Sequence, residues 1–308
     1  MAEKTPVDVA VVGSINADTT YLVPHLPAPG ETILGTGRLD APGGKGANQA
    51  AAIAALGASV DFVGAVGDDG NGVALVEALA SRGVGVEHVR VLKSAATGSA
   101  VIVVAESGEN SIVVHPGANG ELAPGHIADY LSNRAPEVIM AQLEIPLETV
   151  VEACKRAQGT VIVNPAPMPE KSPQLDEIIA RADILVPNRT ELAALAGQPV
   201  PQSHDEVVAC AQMLNLEGQL VVTLGSDGAL CFPDGVAGEV VSVASPVVSA
   251  VDTSGAGDAF CGALAVGIRQ GKSLVEAVEY ATKFASWSVT QPGAQVPQTT
   301  PDSLLVSG

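Results

Sequence analysis

Basic residues are scarce in this sequence, and the shortage excludes two classes of partner. Of its 308 residues, 15 are lysine or arginine and 34 are aspartate or glutamate, which gives a net charge of −19 at pH 7. Such a charge repels nucleic acid and anionic membrane surfaces, and no basic stretch interleaved with aromatic residues offsets it locally. We therefore expect no nucleic-acid partner and no membrane partner. An anionic substrate would need a bound metal or a well-placed lysine.

Long apolar runs are also missing, and we expect no secretory leader. No stretch is apolar over the length that crosses a bilayer, and residues 1–8 mix charges of both signs before the first predicted strand. The four cysteines, Cys154, Cys210, Cys231 and Cys261, have no short paired spacing and lie in apolar sequence contexts. They are typical of reduced structural cysteines, with neither a disulfide framework nor a zinc site. The sequence therefore predicts a cytoplasmic protein.

Two common nucleotide-binding motifs are absent. The Gly-Gly-Lys-Gly-Ala-Asn run at 43–48 lacks the Gly-x-x-x-x-Gly-Lys-Ser/Thr spacing of a P-loop, and no Gly-x-Gly-x-x-Gly follows a predicted strand. These absences disfavour a P-loop enzyme and a dinucleotide-binding fold. The same run can still hold a ligand, because its double glycine lets the backbone approach closely and because Lys45 and Asn48 can reach that ligand. It leads into an alanine-rich helix predicted over 50–56, which Gly57 ends.

Strand and helix patterns alternate along most of the chain. β-branched runs at 7–13, 60–64 and 138–142 alternate with helical segments such as 71–82 and 147–157. This alternation predicts parallel strands joined by helices that cover both faces of the sheet. We therefore predict an α/β fold, a single domain over residues 1–308 with three αβα layers around a mostly parallel central sheet.

Two insertions break this alternation. Residues 18–42 are rich in proline and glycine with short extended pieces, and residues 97–115 form a hairpin pattern. These segments predict a small β-sheet that stands off the main domain as a lid. A lid left alone would expose unpaired strand edges, so we expect a homodimer formed through the lid strands.

The stretch from Asp252 to Phe260 carries most of the chemical information. It reads Asp-Thr-Ser-Gly-Ala-Gly-Asp-Ala-Phe and opens a helix, for which Thr253 or Ser254 is the expected cap. The free N–H groups of a first helical turn form an anion site, and glycines there let a ligand approach the backbone. Asp258 projects into this site, where it could take a proton from a hydroxyl that attacks a bound phosphoryl group. On these nine residues alone, Asp258 as an ordinary first-turn acid is an equally open alternative.

Polar residues follow several of the predicted strands. Asn16 and Asp18 come after the first strand, and in an extended chain they point the same way, which would suit two neighbouring hydroxyl groups. An Asx turn is the structural alternative there, and a helix cap is the alternative for the Asn-x-x-Glu run at 188–191. Because the carboxyl ends of parallel strands share one edge of a sheet, several polar strand ends together favour a binding site. The other polar residues at strand ends are Gln142, Glu144, Asn164 and Thr223.

Taken together, the glycine-rich run at 43–48 and the Asp-Thr-Ser-Gly-Ala-Gly-Asp run at 252–258 resemble the two signatures of the ribokinase family of carbohydrate kinases. The resemblance covers nearly the whole chain. Its other pieces are Gly-Ser-Ile-Asn-Ala-Asp at 13–18, Gln-Leu-Glu at 142–144, Asn-Pro-Ala-Pro at 164–167, Asn-x-x-Glu at 188–191 and Thr-Leu-Gly-Ser-x-Gly at 223–228. Each piece is weak alone, and their common order is highly specific.

The resemblance implies an ATP-dependent sugar kinase that transfers the γ-phosphoryl group of Mg-ATP to the 5-hydroxyl of D-ribose, giving ribose 5-phosphate and ADP. Asp258 is then the catalytic base, and the N–H groups of Gly255, Ala256 and Gly257 form the anion hole for the transferring group. The implied pentose-binding residues are Asn16, Asp18, Gly44, Lys45, Asn48, Glu144 and Asp258.

The resemblance also implies sites for the nucleotide and for metal ions. Asn188 and Glu191 resemble an element that orders Mg²⁺ and phosphate, and K⁺ is implied as an activator. The implied nucleotide-binding residues are Asn188, Thr223, Leu224, Gly225, Ser226, Asp227, Gly228, Gly257 and Thr282, the last near the adenine. The implied potassium site is formed by Asp252, Ser254, Ser288, Gln291, Gly293 and the position of Pro297. Since proline has no hydroxyl, Gln298 or Thr299 would have to substitute for it.

Two alternatives stay open on the sequence alone. The first is a kinase of the same family for deoxyribose, fructose or a nucleoside. With 4 Phe, 3 Tyr and 1 Trp the chain offers few partners for a nucleoside base, and Tyr21 is the residue that could still provide one. The second is a non-catalytic sugar or nucleotide sensor on the same fold, which would be expected to lack a base at position 258.

Overall fold

Thirteen strands and nine α-helices alternate along the part of the chain that the computed structural model describes, residues 4–298 and 300–304. The strands are β1 (Thr5–Val12), β2 (Asn16–Val23), β3 (Gly37–Gly43), β4 (Val60–Gly67), β5 (Val89–Leu92), β6 (Gly98–Ala105), β7 (Asn110–His115), β8 (Arg134–Ala141), β9 (Thr160–Val163), β10 (Ile184–Leu185), β11 (Gln219–Thr223), β12 (Ala229–Phe232) and β13 (Val241–Val243). The helices are α1 (Lys45–Ala55), α2 (Gly70–Ser81), α3 (Pro124–Asn133), α4 (Leu147–Arg156), α5 (Pro173–Arg181), α6 (Arg189–Ala196), α7 (His204–Ala211), α8 (Ala256–Arg269) and α9 (Leu274–Ser288).

A nine-stranded sheet forms the centre of the molecule, in the order β13-β12-β11-β10-β9-β8-β1-β4-β5. Neighbouring strands from β11 to β5 run parallel, and only β12 and β13 pair antiparallel at one edge. The predicted mostly parallel sheet is therefore confirmed. β1 lies between β4 and β8, so the strand order reverses there, and such a reversal opens a crevice at the carboxyl ends of the strands.

Helices cover both faces of this sheet, as the predicted three-layer fold requires. Along β1, Val9 and Val11 face a core shared with α1, α2, α8 and α9, while Ala10 and Val12 face a second core shared with α3 to α7. This alternation follows from the two-residue period of a strand. Because both faces are buried, the strands read as continuous apolar runs, which is what made them recognisable in the sequence.

A second sheet of four strands, in the order β3-β2-β6-β7, stands beside the crevice and forms the lid. β2 pairs antiparallel with β3 and parallel with β6, and β6 and β7 form the predicted hairpin. The small sheet is thus confirmed as part of the fold. The exact limits of the lid insertions, 18–42 and 97–115, and the treatment of residues 1–308 as one domain stay predictions.

The structure differs from the sequence-based prediction at three elements. α1 begins at Lys45 rather than at Ala50, because Gly44 with φ of +87° serves as its N-cap. Asn48 and its neighbours are therefore helical and project from a rigid element. α3 and β5 were not predicted: α3 opens with Pro124-Gly125, which masks its helical pattern, and β5 is only four residues long at the edge of the sheet.

The predictions about the cysteines and about membrane-spanning segments can be compared with the described residues. Cys154, Cys210, Cys231 and Cys261 are all buried and free, in line with their prediction as structural thiols. None of the helices in the described ranges is both long enough and apolar enough to cross a membrane.

Candidate active site

The polar strand ends meet two helix starts in the crevice of the large sheet. The N-terminal turns of α1 and α8 both face this crevice, and α1 and α8 pack against each other. Asp258, in the first turn of α8, is thereby placed against Asn48 and Gln49 in the first turns of α1. The strand-end residues Gln142 and Asn164 lie in the same network. These polar strand ends and the two helix starts therefore lie together in one crevice.

The Asp258 carboxylate is nearly buried, at 7% exposure. Its Oδ2 accepts a hydrogen bond from Nδ2 of Asn48 at 3.0 Å, and its Oδ1 accepts one from Nε2 of Gln49 at 3.1 Å. Burial raises the pKa of Asp258, while the charge of Lys45 and the two amide donors act in the opposite direction. A buried carboxylate with a raised pKa and a fixed orientation is suited to accept a proton from a substrate hydroxyl.

The start of α8 has the geometry of an anion hole. Its N-cap is Gly255 in the left-handed region, with φ of +70°, and a Cβ there would lie 2.1 Å from the carbonyl oxygen of Ala294. Of the N–H groups predicted to form the anion hole, that of Ala256 instead donates to the carbonyl of Thr253 at 3.3 Å. The N–H groups of Gly257 and Asp258 stand where the helix offers them no carbonyl acceptor. They border a cavity of about 150 Å³ that Asp258 also lines. The cap expected from Thr253 or Ser254 was wrong, since no side chain caps this helix start.

Lys45 lines this same small cavity, together with Glu191 and Asp258. Burial alone would lower the pKa of Lys45, but the nearby carboxylates of Asp258, Glu144 and Glu191 hold it above its ordinary value. Lys45 therefore stays charged beside the anion hole. It is placed to meet a phosphoryl group as well as a sugar, although the family resemblance suggested only the sugar.

Unpartnered acceptors lie on the side of the crevice next to the lid. Oδ1 of Asp18 and Oδ1 of Asn48 are both buried and have no hydrogen-bond partner among the described residues. A buried acceptor left without a donor is costly, and hydroxyl groups of a ligand would supply the donors. Burial, then the charge of Glu144, raise the pKa of Asp18 to about 6. Asp18 and Asn48 therefore fit a polyhydroxylated ligand.

Asn119 is a site residue that the sequence did not reveal. Its amide binds the backbone of Ile15 twice, accepting from the N–H at 3.0 Å and donating to the carbonyl at 3.1 Å, and its Nδ2 donates to Oδ1 of Asn16 at 2.8 Å. Because Oδ1 of Asn16 is occupied, Nδ2 of Asn16 is left to donate to a ligand. Asn119 follows the lid hairpin, so this contact joins the lid to the end of β1.

Glu144 is held in a comparable way by a residue that was also missed. Its Oε2 accepts from the hydroxyl of Ser14 and, at 3.0 Å, from the backbone N–H of Lys45. Glu144 thus links the ends of β1 and β8 to the start of α1. With Asn16 and Asn119 it lines a cavity of about 410 Å³, and none of the side chains that line this cavity is aromatic. Tyr21 is not among them. No base-stacking pocket is therefore visible on this side of the crevice.

A cavity of about 430 Å³ lies on the other side of the anion hole. It shares Thr223, Thr253, Ala256 and Gly257 with the 150 Å³ cavity, so the two spaces adjoin. Of the residues predicted to bind nucleotide, those that line it are Thr223, Gly225, Ser226, Gly228, Gly257 and Thr282.

Three of the predicted nucleotide residues do not line this cavity, and one of them, Asn188, lines the 150 Å³ cavity instead. Leu224 is buried in the second core, and Asp227 pairs with Arg189 at 2.8 Å. The segment from Ser245 to Val248, together with Ser286 of α9, supplies lining residues that the sequence-based prediction missed. Their small and apolar side chains gave no recognisable motif.

The Asn188-x-x-Glu191 element forms a capping box at the start of α6, which is the structural alternative considered for it. Nδ2 and the backbone N–H of Asn188 donate to the two carboxylate oxygens of Glu191, at 2.9 and 2.8 Å. The same two side chains also line the 150 Å³ cavity. The cap is therefore present, and the same two residues also form part of the cavity wall. Their oxygen atoms are of the type that Mg²⁺ prefers, and their place beside the anion hole suits a metal held between protein and phosphate.

The residues of the implied potassium site belong to two adjacent loops. Oδ1 of Asp252 accepts from the N–H of Ser254 at 2.9 Å, and Oδ2 accepts from the N–H of Gly293 at 3.0 Å. Ser288 and Gln291 lie beside them, joined by a backbone hydrogen bond of 2.9 Å. Gln298, one expected substitute for the missing hydroxyl at Pro297, instead donates to the carbonyl of Ser81 at 2.8 Å. Thr299, the other, lies outside the described residues.

The fold and the site together define a class of protein. A parallel α/β sheet carries a buried carboxylate and an anion hole beside two larger cavities of about 410 and 430 Å³. This arrangement is suited to transfer a phosphoryl group to a hydroxyl. The model of the pfkB family of carbohydrate kinases matches residues 7–301. The chain belongs to this family, and the resemblance noted in its sequence is confirmed.

Known proteins similar to this chain differ in the sugar that their names give. A ribokinase of Bacillus subtilis (strain 168) is 37% identical over 292 residues, covering 94% of each chain. A deoxyribokinase of Salmonella typhi is also 37% identical, over 295 residues and 94% of each chain. The structure of Arabidopsis thaliana ribokinase complexed with ribose and ATP superposes with a TM-score of 0.82, at 32% identity and 96% coverage of each chain.

The raised pKa of Asp18 predicts a pH-dependent cost of folding. A carboxyl group whose pKa is about 6 in the folded chain binds its proton more tightly there than when unfolded. Stability is therefore lost as pH rises through about 6 and is fully present below about 4. We expect Asp18→Asn to raise the melting temperature at pH 7.5 and to leave it unchanged near pH 4, as measured by calorimetry. The exposed Asp68→Asn is the control, and an equal effect of Asp18→Asn at both pH values would contradict the assignment.

Proposed function

We propose that this chain transfers the γ-phosphoryl group of ATP to the 5-hydroxyl of D-ribose, yielding ribose 5-phosphate and ADP. The observation that carries the proposal is the position of Asp258, which lies in the first turn of α8 beside an anion hole and is gripped by Asn48 of α1. The proposal is supported by the relatives named ribokinase and by a similar structure that was solved with ribose and ATP.

The chemistry needs one proton transfer and one phosphoryl transfer. Asp258 takes the proton of the sugar hydroxyl as the hydroxyl oxygen forms its bond to the γ-phosphorus, and the bond from this phosphorus to the β,γ-bridging oxygen breaks with its electron pair leaving on ADP. The N–H groups at the start of α8 and the charge of Lys45 offset the negative charge of the transferring group. Mg²⁺ bound with ATP neutralises phosphate charge, and Asn188 and Glu191 are the residues that would hold it.

The two substrates are assigned to the two sides of the anion hole. The unpartnered acceptors of Asp18 and Asn48, with Asn16 and Glu144, bind the sugar hydroxyls. ATP occupies the 430 Å³ cavity, with its phosphates toward Gly257. The lid stands over the sugar side, and its closure would exclude water that could otherwise accept the phosphoryl group. The cytoplasm is the proposed location, because it supplies ATP and keeps the four free cysteines reduced.

Deoxyribose is the alternative substrate that a specific observation favours. The deoxyribokinase relative matches the chain at the same 37% identity as the ribokinase relative. Sequence identity to these two relatives therefore gives no preference between a sugar that has a 2-hydroxyl group and one that lacks it. A nucleoside is disfavoured by the cavity around Asn16 and Glu144, whose lining side chains include no aromatic ring.

The role of Asp258 predicts a separation between binding and turnover. Asp258→Asn keeps the shape of the side chain but cannot accept the proton, so we expect kcat to fall about 10²- to 10⁴-fold. Dissociation constants of ribose and ATP, measured by calorimetry, should change only a few-fold. Turnover of the variant at the rate of the parent would contradict the assignment. Tight binding of both ligands without turnover in the parent itself would instead favour the sensor alternative.

The two loops around Asp252 suggest activation by potassium. Hydrogen bonds from Ser254 and Gly293 outweigh burial and lower the pKa of Asp252, so it stays negative next to the carbonyl groups of Ser288 and Gln291. We expect turnover to be faster in potassium chloride than in sodium chloride of equal strength. Asp252→Asn should abolish this difference, while the exposed control Asp234→Asn should preserve it. Equal turnover of the parent in both salts would contradict the potassium site.

The apolar surface of the lid suggests a homodimer. The strand register places Leu39, Ile102 and Ile112 in one row, on the same face as Asp18. Leu39 and Ile112 are 60% and 54% exposed in the isolated chain, which is unusual for large apolar side chains on one sheet face. We expect light scattering to give twice the mass of the 30.9 kDa chain, and Ile112→Lys to weaken the dimer. A monomeric mass of the parent at micromolar concentration would contradict this.

A further inference from the structure

Gln49 is a buried residue that is hydrogen-bonded to the proposed base, Asp258. It follows Asn48 in α1, it is fully buried, and its Nε2 donates to Oδ1 of Asp258 at 3.1 Å. Neither the sequence motifs nor the family resemblance gave it a role. Of the two amides that hold the carboxylate, only that of Asn48 also offers an unpartnered oxygen to a ligand. The amide of Gln49 is thus directed at protein groups only.

The contacts of Gln49 leave its amide a single orientation. Its Oε1 accepts from Nε2 of Gln142, and its Nε2 also faces Oδ1 of Asn164 at 3.5 Å. Nδ2 of Asn164 donates to the carbonyl of Val186 at 2.9 Å, which fixes the oxygen of Asn164 toward Gln49. A reversed Gln49 amide would set its oxygen against the Asp258 carboxylate. Every neighbour therefore requires Nε2 to point at Asp258.

The backbone at Gln49 is fixed as firmly as its side chain. Gly262, one turn after Asp258 on α8, lies against α1 so closely that a Cβ there would be 3.0 Å from the carbonyl oxygen of Gln49. It would also lie 2.8 Å from Cβ of Ala52. The two helices thus hold donor and acceptor at a set distance, and neither side chain has to be ordered when a substrate arrives.

We propose that Gln49 is a positioning residue: its hydrogen bond to Oδ1 fixes the plane of the Asp258 carboxylate and favours the charged form, and Gln142 and Asn164 fix Gln49 in turn. This inference rests on the proposed function, in which Asp258 takes the proton. Asn48 grips Oδ2 and contacts the sugar, so it responds to substrate. Gln49 grips Oδ1 without contacting the sugar, and it acts through Asp258 alone.

The inference predicts how Asp258 titrates. The charged or titratable groups that face Asp258 are Lys45 on α1, Glu144 after β8, Glu191 on α6 and Cys261 on α8 itself. None of them changes when Gln49 is replaced by the similarly shaped Met. Loss of the donor should destabilise the charged carboxylate, and the pKa of Asp258 should rise by about one unit. Misorientation of the base should lower kcat about 10- to 100-fold.

Carbon-13 NMR of protein labelled at aspartate carboxyl groups measures this titration directly. The Asp258 signal is assigned by its loss in Asp258→Asn. Gln49→Met should raise its pKa and lower kcat, with KM for both substrates within about threefold of the parent. Gln142→Met removes the group that orients Gln49, so it should shift both quantities in the same direction by less. If Gln49→Met does not fold, the Gln142→Met variant provides the test.

Gln219→Met is the matched control, because the side chain of Gln219 makes a single hydrogen bond, to the carbonyl of Pro233, at the amino end of β11. It should leave the titration of Asp258 and kcat unchanged. An Asp258 signal that titrates in Gln49→Met and Gln142→Met as it does in the parent would overturn the inference. This readout needs no turnover. Failure of the parent to phosphorylate any sugar would refute the proposed function while leaving the titration result intact.

Discussion

The structure depends on one electrostatic arrangement, a carboxylate buried beside a helix start that attracts anions. Asp258 is 7% exposed and accepts hydrogen bonds from two amides of α1. Burying a charge in this way is unfavourable unless each oxygen has a donor. The start of α1, the start of α8 and the strand ends that support them are therefore fixed relative to one another. The positions of the sugar and nucleotide cavities follow from that junction.

The same junction explains how an acidic protein can bind an anionic ligand. With a net charge of −19 the chain repels a polyanion such as ATP at long range. At short range, the dipole of α8, its first N–H groups and the charge of Lys45 face the 150 Å³ cavity. Lys45 stays charged because three carboxylates surround it, so acidic residues here support the local cation. Phosphate binding therefore depends on where Lys45 and these N–H groups lie rather than on the net charge of the chain.

Sequence reasoning succeeded where a residue type has a spacing or a position that physics recognises. The parallel sheet was predicted from apolar runs and is confirmed. Asp258 was singled out because it projects into the anion site that a glycine-containing helix start forms, and its catalytic role stays a prediction. Gln49, Asn119 and Ser14 were missed because a buried amide or hydroxyl becomes informative only when its partner is known. Those partners are far away in sequence, as with Asn119 and Asn16. The start of α1 was misplaced for a local reason, since the positive φ of Gly44 lets a glycine-rich run turn into a helix.

The same limit applies to the nucleotide side. Leu224 and Asp227 belong to the segment at 223–228, but only the other four members of that segment line the cavity. Which members face a ligand depends on the turn that the backbone makes, and Gly225 and Gly228, both with positive φ, determine this turn. The motif identified the segment from the sequence. Which of its residues line the cavity depends on the folded structure.

The central claim is that Asp258 and its anion hole serve phosphoryl transfer to a free pentose. The most direct test is ADP release by the parent chain from magnesium-ATP, with ribose, deoxyribose, fructose and adenosine as acceptors. The account predicts release that depends on ribose and forms ribose 5-phosphate in equal amount. Turnover on adenosine or fructose but not on ribose would contradict the assignment of Asn16, Asp18 and Asn48 to a pentose-binding site. No acceptor-dependent release with any of the four would contradict the assignment of the chain as an active kinase.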